Sequence, residues 1–132
     1  MSFRAPSRSM NSPKLNFIAQ QVVSAVQLRL PDAIRATVAA VPVCCEPYPN
    51  DDLLADGLEP DILGLFVGHE HLGELGEHAT LPPQILLFVD NIWDLAEGDE
   101  ETFRDEVRLT YLHELGHFLG WDEDEIARRG LE

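Results

Sequence analysis

Apolar residues recur at helical spacing from Leu15 to Leu30, at Ile18, Val22, Ala25, Val26 and Leu30, and Pro31 ends the pattern. This predicts a first amphipathic helix. The stretch LPDAIRA then reads as a short helical turn with Asp32 near its start, and the Val-rich run from Thr37 to Val43 as a strand. Pro47, Pro49, Asn50, Asp51 and Asp52 introduce an acidic loop, Glu46 to Pro60, whose length and prolines suit a lid over a cleft. DILGLFVG, Asp61 to Gly68, is compatible with a second strand. In LPPQILLFVDN the prolines suit the start of a third strand, and Ile85 to Val89 its interior, buried on both faces. After an acidic connection, Phe103, Val107, Thr110, Tyr111 or Leu112, Leu115 and Phe118 fall at three- and four-residue intervals, which predicts a second long helix from Glu101 to Leu119. Met1 to Ser12, rich in Ser, Pro and Arg, has no periodicity and is expected to be a flexible tail.

Length bounds this pattern to one domain. The chain has 132 residues, so residues 13–132 are expected to share a single core. No apolar run approaches the roughly 20 residues that span a membrane. The basic N-terminus is not followed by an apolar core and a cleavage site, so it does not read as a secretory signal, and a cytoplasmic protein is expected. Adjacent Cys44 and Cys45 are expected to be reduced thiols buried on a strand.

The net charge is −15, and Ala36 to Phe103 contains acids but no Lys or Arg. Nucleic acid is therefore excluded as the expected partner, because neutralising phosphates needs clustered Lys and Arg. Solubility is the favoured account of the charge; a sharper one is an acidic cleft that attracts cationic peptides. His69, His71 and His78 lie in GHEHLGELGEH among glycines, at spacings that form no compact ligand set, so a solvated loop is favoured there over a metal site.

The chemistry concentrates in YLHELGHFLGWDEDE, Tyr111 to Glu125. At about 100° per residue, His113 and His117 sit one turn apart on one helix face, where both imidazoles can point at one metal. Glu114 projects from the flank of the pair, where a carboxylate can act as base on an attacking water. Gly120 suits the left-handed turn that ends a helix and swings the chain back over the histidines. Asp122, Glu123, Asp124 and Glu125 then offer a third ligand, completing a zinc site of two histidines and one carboxylate.

The sequence runs only to Glu132, so that ligand is expected close by. Glu123, six residues past His117, stands where HExxHxxGxxH enzymes place a third histidine. The methionines are Met1 and Met10, so no methionine turn underlies the site. Asp122 with Glu125 also forms a capping-box-like start for a short helix, DEDEIARRG, and the two readings are compatible.

These residues resemble the small bacterial zincin-like metallopeptidases, or minimal zincins, which carry an HExxHxxGxxD motif near the C-terminus. The similarity runs from about Phe17 to Leu131 and includes the Leu30-Pro31 step, LGLFVG at Leu63 to Gly68 and LPPQILLFVDN. His113, Glu114, His117, Gly120 and Glu123 carry the motif. Where the family has aspartate this chain has Glu123, which leaves Asp122 and Asp124 as alternative ligands.

The resemblance implies an α+β, minimal zincin-like fold, with a small mixed β-sheet packed against the HExxH helix and an N-terminal helix. It also implies a zinc-dependent metallopeptidase acting on a peptide or protein substrate, with Zn²⁺ on His113, His117 and Glu123 and with Glu114 as general base. The strand from Gln84 to Asp90 would pair with an extended substrate if it lies at a sheet edge. The rival function is a zinc-binding, non-catalytic acidic interaction protein, and a third reading leaves His113 and His117 as plain surface residues.

Overall fold

The computed structural model describes residues 12–68 and 83–128, with the side chains of Ser12 and Glu123 left outside that description. The expected tail at 1–12 thus lies outside it except for the backbone of Ser12, as do His69, His71 and His78.

Helix α1, Ser12–Leu28, buries Leu15, Ile18, Ala19, Val23 and Val26, a stripe at three- and four-residue spacing. Its end is satisfied from beyond Pro31: the Arg35 guanidinium donates to the carbonyls of Leu28 (3.2 Å) and Leu30 (2.9 Å). Arg35 belongs to α2, Asp32–Ala39, which extends into the first part, Thr37 to Ala39, of the segment expected to be a strand. The correction has a physical cause. Alanines favour helix, and Ile34 and Val38, four residues apart, share the face turned to the core, so helical burial outweighs the β-propensity of the valines.

Strand β1 comprises only Val43–Glu46. Cys44 and Cys45 lie on it as free thiols, half-buried rather than buried, and desolvation pushes the Cys45 thiol up to about 11. The acidic loop contains a short helix, α3, Asp51–Ala55, capped by the Asn50 side chain, which accepts from the Leu53 N–H at 2.9 Å.

Strands β2, Gly64–Val67, and β3, Gln84–Phe88, complete a three-stranded sheet of order β1-β3-β2. β1 runs parallel to β3 with Cys44 opposite Leu86, and β2 antiparallel to β3 with Leu65 opposite Leu86. The expected mixed sheet is present. Along β3, Ile85 and Leu87 are fully covered on one face; on the other, Gln84 and Leu86 are half-covered and Phe88 is fully covered, so burial on both faces is complete only at the end of the strand.

β3 gives way directly to α4, Val89–Leu95, in the segment expected to continue the strand and then connect through acids. Val89, Ile92 and Ala96 form its buried stripe, too short to stand out in a sequence where no turn residue separates strand from helix. The long helix α5, Glu100–Leu119, is capped by Asp99, whose carboxylate accepts from the Thr102 N–H (2.8 Å) and hydroxyl (2.7 Å). It buries Phe103, Val107, Tyr111 and Leu115 and packs on α1, α4, β2 and β3. The Gln27 amide donates to the Tyr111 hydroxyl at 3.0 Å, a polar tie across the α1–α5 contact. After Gly120 comes α6, Glu123–Arg128, so an α+β architecture surrounds one motif helix. No helix among the described residues is long and apolar enough to cross a membrane.

Candidate metal centre and catalytic cleft

His113 and His117 stand one turn apart near the C-terminal end of α5, both exposed, with ring centroids 4.7 Å apart. Glu114, between them in sequence, turns instead towards the sheet and is only 7% exposed. Its Oε1 lies 3.7 Å from Nδ1 of His117. Helix geometry alone produces this division, since adjacent residues differ by about 100° in direction.

Two glycines, neither recognised from sequence as part of the site, allow the close approaches around it. Gly64 opens β2 where it faces α5: a Cβ there would lie 2.7 Å from Thr110 Cγ2 and 3.3 Å from Glu114 Cγ. The side chain of Glu114 therefore lies against bare backbone at the start of β2. Gly116 does the same on the other side, where an added Cβ would come within 2.9 Å of the Trp121 carbonyl oxygen and 3.0 Å of Ile126. A glycine inside a strand or helix pattern signals close backbone approach, but what approaches is decided by another element.

The chain returns over the histidines as expected. Gly120 has φ 76°, and the Trp121 N–H donates to the Gly116 carbonyl at 2.8 Å, closing the helix. The return forms a pocket of about 260 Å³ lined by His113, His117, Trp121, Asp122 and Ile126. Asp122 thus shares a pocket with both imidazoles, and its Oδ1 also accepts from the Glu125 N–H at 2.9 Å, the expected cap. Glu125 pairs with Arg128. Asp124 is exposed and Glu123 is the first residue of α6; the Glu123 side chain lies outside the described residues.

On the other side of His113 a second cleft, of about 380 Å³, runs between α5 and the chain leading into β2. Ile62, Leu63 and Gly64 form one wall, and Glu106, Leu109, Thr110, His113 and Glu114 the other. The Asn91 side chain, buried in α4, fixes the first wall by donating to the carbonyls of Pro60 (2.8 Å) and Ile62 (2.9 Å). Neither cleft is lined by residues from Glu46 to Pro60, so the lid expected of that loop has no support in the packing.

The strand order also corrects the expected substrate edge. β3 is central, with both sides occupied by β1 and β2, so it has no free edge for an extended peptide. Among the described residues β2 pairs only with β3, so its other edge has no strand partner there.

In donor chemistry the site fits zinc: two imidazoles converge on one pocket that also holds a carboxylate. No group of three or more His, Cys, Asp or Glu side chains stands within metal-binding reach among the described residues.

No curated protein matches this chain. The sequence model of one family, described as zincin-like metallopeptidase, matches residues 38–131, from the end of α2 through β1, the whole sheet, the motif helix and α6. With the HExxH pair on α5, the chain turning back at Gly120 and a match over most of its length, this protein belongs to the zincin-like metallopeptidase family.

Proposed function

We propose that this protein is a zinc-dependent peptidase, with His113, His117 and Glu123 holding the metal and Glu114 serving as general base. The observation that carries this reading is the buried Glu114 carboxylate beside an exposed, one-turn histidine pair, in a cleft walled by the start of β2. When bound, zinc would supply Lewis acidity, acidifying a water and polarising the scissile carbonyl.

The protein's own groups do the rest. An extended peptide adds its main chain to the outer edge of β2, which holds the scissile bond alongside α5. Glu114 takes the proton of the attacking water, and its low exposure keeps competing solvent away from that carboxylate. The same carboxyl then returns the proton to the leaving amine. Glu123 is favoured over its neighbours as third ligand because Asp122 already serves as a helix cap. The two free thiols, Cys44 and Cys45, support action in the reducing cytoplasm.

The deciding experiment compares wild type, His113→Ala, Glu114→Gln and Glu123→Gln for zinc content by mass spectrometry and for cleavage of a peptide library. About one zinc per chain is expected in wild type and Glu114→Gln, with far less in the other two. Cleavage is expected only in wild type. Zinc retention with no cleavage by wild type would favour the non-catalytic interaction protein, and no zinc at all would return HELGH to an ordinary helix face.

A further inference from the structure

The cleft beside His113 does not end in apolar side chains. It follows α5 from the histidine back to Glu106, seven residues or about 10 Å along the helix. Ile62, Leu63 and Leu109 make its sides apolar, and the half-buried Glu106 stands at the far end. Among the described residues the Glu106 carboxylate has no ion-pair or hydrogen-bond partner.

Its nearest cations in sequence are turned away. Arg104 and Arg108 line a separate groove against α1, together with Arg29, and Arg104 is held by Glu100 at 3.1 Å. Residues two positions either side of Glu106 differ from it in direction by about 200°, so Arg104 and Arg108 lie on a different face of the helix from Glu106. The facing wall offers no relief, because the whole sequence from Ala36 to Phe103 lacks Lys and Arg.

We infer that this cleft is a specificity pocket for a lysine or arginine side chain next to the scissile bond, with Glu106 as the residue that selects it. The inference rests on the peptidase reading and names its substrate class, peptides bearing a basic residue at that position. The match is amphipathic. A long basic side chain lays its methylene stem along the apolar sides and brings its cationic head to the carboxylate at the end. A charge-assisted hydrogen bond there offsets the cost of removing Glu106 from water, which a neutral side chain of equal length does not do. The cleft volume of about 380 Å³ leaves room for such a side chain together with adjoining main chain at the mouth. The net charge of −15 adds long-range attraction for cationic peptides without setting which residue is read.

The test digests a proteome-derived peptide library with zinc-loaded, full-length protein and reads the cleavage sites by mass spectrometry. Wild type is expected to enrich Lys or Arg at one position flanking the cut by about tenfold over Leu or Met. Glu106→Gln should reduce that ratio to near one, and Glu106→Lys should shift it towards Asp and Glu. Cleavage without basic enrichment, or enrichment that survives Glu106→Gln, overturns the pocket assignment.

If wild type cleaves nothing, the peptidase reading fails, and the pocket is judged by binding. Zinc-loaded Glu114→Gln protein is titrated against fluorescein-labelled Ala-Leu-Arg-Ala-Leu and its norleucine counterpart. Binding of the arginine peptide about tenfold tighter, lost in the Glu106→Gln/Glu114→Gln double variant, supports the pocket on its own. Equal binding of the two peptides overturns it.

Discussion

Whether the chain can turn back over the histidine pair depends at Gly116 on the absence of one methyl group. By helix propensity alone, Gly116→Ala should stabilise α5 by about 1 kcal/mol. The structure reverses that sign, because the new Cβ would lie 2.9 Å from the Trp121 carbonyl oxygen and meet Ile126 as well. Overpacking of this kind costs roughly 1–3 kcal/mol and would push the Asp122–Glu125 segment off the histidines. Gly116→Ala is therefore expected to melt several degrees lower and to bind zinc more weakly, checked by calorimetry and zinc titration. Unchanged values in both would show that the return does not need the glycine. His113, Glu114 and His117 were legible as a unit because one helix sets their relative directions. Gly116, lying between them, was not, because its role is defined by a chain segment that folds onto it.

Two elements position the cleft, and each is held by one polar side chain. Asn91 ties α4 to the chain entering β2 through the carbonyls of Pro60 and Ile62. Asn91→Ala leaves both acceptors without that donor, an expected loss of about 1–3 kcal/mol. Hydrogen exchange at the amides of Gly64 to Val67 should quicken more than exchange in β1; equal protection would show that β2 is placed by sheet pairing alone.

At the start of α5, bonds from the Thr102 hydroxyl and N–H hold the Asp99 carboxyl below its ordinary 3.8. The folded state thus takes up this proton less readily than the unfolded chain. The contribution is complete above about pH 4 and lost as pH falls through the lowered folded value. Wild type should therefore outlast Asp99→Ala in melts near pH 7, with the gap closing in strong acid. A gap that stays constant, or widens on acidification, would refute the assignment. The helices α1 and α5 were readable from long apolar stripes, whereas α4 and the extent of α2 were not, because short stripes compete poorly with a run of β-branched residues.

For the whole molecule, metal binding and folding are linked, since the proposed ligands come from two helices that meet only in the folded chain. Zinc at about a hundred times its Kd would add roughly 2.7 kcal/mol to stability. That corresponds to a rise in Tm of roughly ten degrees for a chain of this size. Adding EDTA to zinc-loaded protein should remove the increment, and His117→Ala should show no EDTA response; equal responses in both would place the effect elsewhere. By itself the sequence determined the histidine pair, its flanking glutamate, the turn at Gly120 and the long helix that carries them, because each depends on angles and caps set within a few residues. Only the tertiary structure decided that β3 is central with β1 and β2 beside it, that Gly64 lets Glu114 lie against β2, and that Glu106 ends the cleft while Arg104 and Arg108 face α1. Strand order and facing walls arise from pairing between distant segments, and local periodicity carries no record of which segments meet.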